Sequence, residues 1–145
     1  GAKGTLPGGK LNEDFKKRAA DLYKTNHGAE LTEFAYLAES YDAVVLAALA
    51  AEAAGNDSGE AISKNLQAVS TAGEKFDVAS GDSVEVLKAA FAAAKAGKDI
   101  DFDGFSGPID FDDNGDPTGA SIGIFQYGKD GTSTQIAVVA GNSVK

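Results

Sequence analysis

Cysteine, methionine and tryptophan are absent from this 145-residue sequence, and histidine occurs once, at His27. Without cysteine, disulfides, thiolate catalysis and Cys-ligated metals are excluded. A single histidine cannot build a His-rich zinc site, and without cysteine no Cys–His dyad is available. No Gly-x-Ser-x-Gly elbow is present to support a Ser–His–Asp arrangement. Without methionine, Gly1 is not an initiation site, so processing, tag removal or proteolysis is expected to have produced this start. Long apolar runs are missing too. The longest, residues 43–51, has nine residues, whereas a membrane-spanning helix needs roughly 20. It is expected to be a core helix. Basic residues are the minority, 13 against 22 acidic, for a net charge of −9. That balance disfavours nucleic acid and anionic lipid surfaces.

What is present suits one domain. Apolar residues make up 43% of the chain, which argues against disorder despite 18 glycines. Residues 1–10 are rich in Gly and Pro and read as an extended arm. Residues 11–140 read as the folded part, and residues 141–145 as a flexible tail.

Four helices are predicted. Asn12 can cap the first, with Glu13 and Asp14 in its first turn and Gly28 ending it. Leu11, Phe15, Ala19, Leu22 and Tyr23 form its apolar stripe. The second helix runs over about 34–54 and is apolar nearly all round after Asp42, so it needs cover on more than one side. The third starts at Asp57 or Ser58, with Ile62, Leu66 and Val69 facing inward. The fourth starts near Asp82 and ends at Gly97.

Strands follow. Ile109 and Phe111 alternate with Asp110 and Asp112, and Asn114-Gly115 signals a turn. Residues 122–127 and 135–140 read as two further strands, separated by Lys129-Asp130-Gly131. The order is four helices, then a small antiparallel three-stranded sheet, which is an α+β arrangement. Three short strands are a small platform for so much apolar helix.

Residues that could carry chemistry are few. Carboxylates are plentiful but none sits in a recognisable apolar pocket, so a two-carboxylate hydrolase is a distant alternative. Residues 110–115, Asp-Phe-Asp-Asp-Asn-Gly, match the first half of a calcium-binding loop, with Asp110, Asp112 and Asn114 as hard oxygen ligands. The twelfth position is Ser121 instead of Glu, and a hairpin fits the alternation better. Gly104-Phe105-Ser106-Gly107 is followed by Pro, so no phosphate-binding helix start is offered. His27 reads as an exposed turn residue. The Lys16-Lys17-Arg18 run reads as a solvated face.

Four segments together resemble a known family. They are Gly4-Thr5-Leu6-Pro7, the Phe15-to-Gly28 helix, Tyr36-Leu37-Ala38-Glu39-Ser40-Tyr41-Asp42-Ala43, and Gly107-Pro108-Ile109-Asp110-Phe111-Asp112 with Gly115-Asp116. In this order they resemble the C-terminal part of the type I periplasmic solute-binding proteins, the receptors for branched-chain amino acids that serve ABC importers. Each motif alone is weak; their order and spacing are fairly specific. The resemblance implies a parent of two α/β lobes, more than twice this length, with ligand in the cleft between them. It implies that the side chain of Tyr36 packs on a ligand and that Ala38 and Glu39 face the cleft. Asp42 is expected to orient local backbone.

The leading expectation is therefore a fragment of an extracytoplasmic receptor for a small polar, amino-acid-like solute. It is periplasmic or extracellular, with lipoprotein anchoring as one form, and it has an ABC permease as the parent's partner. No enzymatic activity, resident metal or cofactor is expected. As a fragment it is expected to pair with a second copy, as a homodimer or by domain swapping. The rival expectation is a structural or interaction module, calcium-loaded through residues 110–116.

Overall fold

The computed structural model describes residues 1–142. In chain order they form β1 (Lys3–Pro7), α1 (Glu13–His27), α2 (Leu37–Ala54), α3 (Gly59–Asn65), β2 (Glu74–Asp77), α4 (Ser83–Lys95), β3 (Ile100–Gly104), β4 (Gly107–Pro108), β5 (Gly119–Tyr127) and β6 (Ser133–Asn142). A 3₁₀ turn, Gln67–Val69, follows α3.

The helix ends follow their chemistry. Asn12 Oδ1 accepts the N–H groups of Asp14 and Phe15, two donors that α1 cannot bond internally. Gly28 closes that helix at φ 67°, a left-handed conformation that costs glycine little. Ser58 Oγ accepts from Ala61 N, and Asp82 Oδ1 accepts from Val84 and Glu85 N.

The strands form two sheets. In one, β2 and β3 run parallel, joined through α4 as a βαβ unit, and β4 returns antiparallel against β3. In the other, β5 is central, with β1 and β6 antiparallel on either side. The α+β arrangement with four helices and an antiparallel three-stranded sheet is thus observed, with three differences in its parts. The third strand of that sheet is β1, from the N-terminal arm, and not residues 109–112. Those residues make only an isolated bridge, Phe111 to Pro117. Ile109 and Phe111 instead turn toward the core, and Asp112 closes the turn by accepting from Asn114 and Asp116 N. The second sheet, β2-β3-β4, is additional. At the C-terminus, Gly141 and Asn142 continue β6, and residues 143–145 lie outside the described residues.

The core lies between α2, α4 and the β2–β3 pair. Leu46, Leu49 and Ala50 of α2 meet Ala90, Ala93 and Ala94 of α4 and Phe76, Ile100 and Phe102 of the sheet. Alanines let α4 approach closely. Cover for α2 is one-sided, because Val44 remains 70% exposed. Leu22 and Tyr23 of α1 are also exposed, leaving Phe15 as the buried part of its stripe.

One polar contact ties these parts together. Asp42, only 1% exposed, accepts from Phe105 N at 3.0 Å and from Ser106 N at 2.7 Å. Gly104 precedes them, and a Cβ there would overlap the Asp42 carboxyl group. Held in this way, Phe105 stacks on Phe15 of α1 at 4.1 Å between centroids and meets the edge of Tyr41. Burial raises the Asp42 carboxyl above its ordinary value, and the Ser106 and Phe105 donors pull against that shift. Half-buried Asp112 is held below its ordinary value by the N–H groups of Asp116 and Asn114.

Asp42→Ala strands two buried N–H groups and is expected to cost about 2–5 kcal/mol of stability. Gly104→Ala should destabilise by steric overlap. In the Asp42→Ala background the overlapping atoms are gone, so its cost should fall by more than about 1 kcal/mol. Urea unfolding of the two single variants and the double variant measures this coupling. Strict additivity would mean that the contact does not exist.

Asp42 and Asp112 should also respond to pH with opposite signs. The raised Asp42 group contributes stability below its unfolded pKa of about 3.9, and that contribution disappears as pH rises through the folded value. The lowered Asp112 group contributes above about 3.9 and loses its contribution as pH falls through the folded value. On acidification from neutral pH, wild type should therefore gain stability relative to Asp42→Asn. It should lose its advantage over Asp112→Asn. Unfolding curves at several pH values decide the two signs separately.

Candidate functional site

A cleft of about 1070 Å³ opens beside the Asp42 contact. Ala43, Leu46 and Ala47 of α2 line it, as do Ile62 of α3, Leu66, and Ile109 and Phe111 of the loop after β4. Pro7, Gly8 and residues 117–121 add a wall from the β1-β5-β6 sheet. Few polar side chains enter it; Glu39, Asp42 and Asp110 supply the acidic ones. A mostly apolar concavity with a few convergent polar groups is the usual form of a ligand site, and equally of an interface for another polypeptide segment.

The residues expected to face ligand are distributed unevenly. Glu39 lines the cleft. Its carboxylate approaches Gly8, where a Cβ would stand 2.9 Å from Oε1. Gly8 also has φ 110°, a backbone conformation that favours glycine there. Ala38 is buried in the core cluster under α2. Tyr36 is 51% exposed and is not among the cleft-lining residues.

Tyr36 is unusual in its backbone. It occupies the N-cap position of α2 at φ 59°, ψ 9°, without a side-chain cap. Among the described residues it is the one non-glycine with positive φ. For a bulky side chain this left-handed conformation costs about 1–2 kcal/mol. Strain of this kind persists only where the surroundings fix it, and it clusters at functional positions.

The calcium-loop residues do not converge. Asp112 Oδ1 is engaged by two backbone N–H groups. The Asp110 carbonyl accepts from Thr118 N and Oγ1 while its side chain lines the cleft. Among the described residues no cluster of three or more acidic or histidine side chains is arranged to hold a metal. His27 lies at the end of α1 against the Tyr23 ring. No helix is long and apolar enough to cross a membrane among the described residues.

Sequence reading expected Asp42 to orient local backbone; it orients backbone, but that of Phe105 and Ser106, 63 and 64 residues further along the chain. It missed the cleft wall formed by Leu46, Ala47, Ile62 and Leu66. Their helical spacing marks apolar faces, and periodicity does not distinguish a face that is covered from one that lines an opening. It also missed β3. The alternation of Ile100 and Phe102 with Asp101 and Asp103 carries the same period-two signal as residues 109–112.

Comparison with known proteins places this geometry. LivK, a leucine-binding protein from Thermotoga maritima, is similar in structure, with a TM-score of 0.55 over 96% of this chain and 23% sequence identity. At that identity the likeness concerns the fold. The chain spans 31% of the length of LivK, so it matches part of a larger molecule. No curated protein matches it. A family model described as the receptor family ligand binding region matches residues 7–130, which include the motifs at 36–43 and 107–116. Since that match covers most of the sequence, the chain belongs to the receptor family ligand binding region.

Proposed function

We propose that this chain is the C-terminal part of an extracytoplasmic solute receptor whose parent closes two lobes around an amino-acid-like solute and delivers it to an ABC permease. The observation that carries this reading is the family match over residues 7–130 in a chain that spans 31% of a leucine-binding protein. The cleft beside α2 supports it, because this chain walls it from the helical side and from the β1-β5-β6 sheet and leaves its mouth open. Function would rest on binding and lobe closure, without covalent chemistry.

Within the parent, the start of α2 is the part of this chain that meets the solute. Tyr36 supplies an exposed aromatic ring on a fixed, strained backbone. Glu39 contributes a carboxylate within the cleft, and Ala38 fixes the helix against the core. The remaining polar anchors lie outside this chain.

In the full-length parent, Tyr36→Ala should weaken solute binding by about 1–3 kcal/mol, the scale of a buried aromatic contact. Its melting temperature should hold. Isothermal titration with leucine, isoleucine and valine, together with polar amino acids, identifies the solute and measures the loss. Unchanged affinity with a collapsed melting temperature would make Tyr36 a structural residue. The isolated chain should bind none of these amino acids with micromolar affinity, and such binding would overturn the reading.

The isolated chain should also pair with a second copy. β6 is an uncharged edge strand of ten residues, and Ile136, Val138 and Val139 stand exposed on it. An unpaired apolar edge recruits another strand, and a two-fold pair is the simplest closed arrangement. Sedimentation equilibrium should give a mass above the 14.7 kDa of one chain, and Val138→Lys should return it to monomer. A wild-type monomer at high concentration would refute the pairing.

A further inference from the structure

α1 is the least attached element of this fold. No other helix or strand runs alongside it among the described residues, and residues 21–30 are exposed without interruption. Its anchors are gathered at its N-terminal end. Leu11, just before the helix, packs against the core cluster. Phe15 is buried, with its ring stacked on Phe105 at 4.1 Å and meeting the edge of Tyr41 at 5.3 Å. Arg18 donates to Ser83 Oγ at 3.1 Å, and its guanidinium lies 5.9 Å from the centre of the Phe105 ring. Beyond Arg18 the side-chain contacts are local to the segment itself, as in the Lys24–Glu30 pair and the Tyr23–His27 rings. An exposed ion pair of that kind contributes little.

The flanks of this segment permit bending. Gly8 N donates to Ser121 O at 2.8 Å, which fixes the chain on its N-terminal side. The next fixed point is Phe34, whose carbonyl accepts from Leu37 N. Between the two, Gly9 precedes the helix and Gly28 closes it, and glycine changes backbone conformation at little steric cost. A helix of 15 residues is marginal in water unless tertiary packing supports it. Here that support exists at one end only.

Phe105 does not depend on α1 for its position, because Asp42 of α2 holds its N–H. The ring therefore stays in place when the helix leaves it. With Gly9 and Lys10, Phe105 also lines a second cavity, of about 380 Å³, separate from the cleft beside Ile62 and Leu66.

We infer that residues 9–33 form a strap that opens as one unit, lifting α1 from Phe105 while the rest of the fold stays intact. Opening uncovers the Phe105 ring and moves Gly9 and Lys10 out of the cavity wall. Closing restores the aromatic stack. The strap is thus a gate over an aromatic floor. It follows from contacts within this chain and does not rest on the receptor reading.

The test is amide-resolved hydrogen exchange of the whole chain by NMR at neutral pH. Amides of residues 17–27 should share one opening constant, at least about tenfold larger than that of residues 46–54 in α2. The Phe105 and Ser106 amides should keep the protection of α2. Phe15→Ala should reduce protection along the whole of α1 by at least about tenfold and leave α2 unchanged. Arg18→Ala, at an exposed position, keeps the test valid if the first variant does not fold. It should reduce α1 protection uniformly, by about threefold. Protection of α1 equal to that of α2, no protection of α1 at all, a gradual decline toward Gly28, or exchange of Phe105 together with α1 would overturn the inference. An effect of Arg18→Ala confined to neighbouring amides would overturn it as well.

Discussion

The carboxylate of Asp42 is the contact on which the rest of this structure depends. It reaches from the second turn of α2 to the tight return between β3 and β4 and accepts two consecutive N–H groups there. A return of this kind exposes donors that no strand partner can satisfy. A buried carboxylate satisfies both at once and fixes the turn against the helix. Phe105 is thereby set where Phe15 and Tyr41 can pack on it, so α1 is attached through the same point. The requirement for Gly104 follows, because the carboxyl group fills the space that a side chain would take. Desolvation opposes the arrangement, as the raised Asp42 group records. The two N–H bonds and the aromatic cluster offset it.

Outside this centre, apolar burial is unbalanced. α2 is covered by α3, α4 and the β2–β3 pair on one side, while Val44 faces outward. The β1-β5-β6 sheet leaves most of β6 exposed. A two-stranded parallel pair is also unusual, because parallel sheets are normally wider and covered on both faces. These features have a common physical sense if the surfaces await further polypeptide. A chain that spans 31% of a structurally similar protein leaves ample sequence for that role. The open cleft belongs to the same account: its apolar wall is suited to burial, and its acidic rim to a polar boundary.

Legibility from sequence differed by element. Asn12, Ser58 and Asp82 mark helix starts because a short polar side chain beside an unsatisfied N–H is a local interaction. Gly28 and Gly55 mark ends for the same local reason. α2 was legible by composition, and β5 and β6 by their β-rich runs and the Lys129-Asp130-Gly131 turn. β2 was not legible, since its four residues contain one apolar side chain and its strand identity comes from pairing with β3. Residues 109–112 carried the alternating pattern yet do not form a strand. Asp112 satisfies the turn with its own side chain, and β4 has already ended at Pro108, which lacks the N–H that would extend the ladder. β1 was read as an arm because its Gly and Pro disguise an edge strand. At the site, Glu39 and Asp42 were legible from one motif. That Asp42 would reach the distant backbone of Phe105 and Ser106, and that Ala38 would be buried in the core, was not.

That motif concentrates two opposing demands in the first turns of α2. Tyr36 holds a left-handed backbone at the helix start, which costs about 1–2 kcal/mol. Six residues later Asp42 anchors the same helix to the β3–β4 return. A helix start that is strained and uncapped would ordinarily fray. Here the Asp42 bonds, together with Ala38 and Leu46 buried on the same helix, hold it in register. The helix is thus fixed from within the core while its start presents an aromatic ring, Tyr36, to solvent. A surface held rigid before binding loses less entropy when a ligand arrives, which is the advantage this division would give the proposed receptor. The core residues of α2 therefore fix the position of its first turn. Loosening Asp42 would free Tyr36 to relax into an ordinary helical conformation, and the ring would leave the position that the strain maintains.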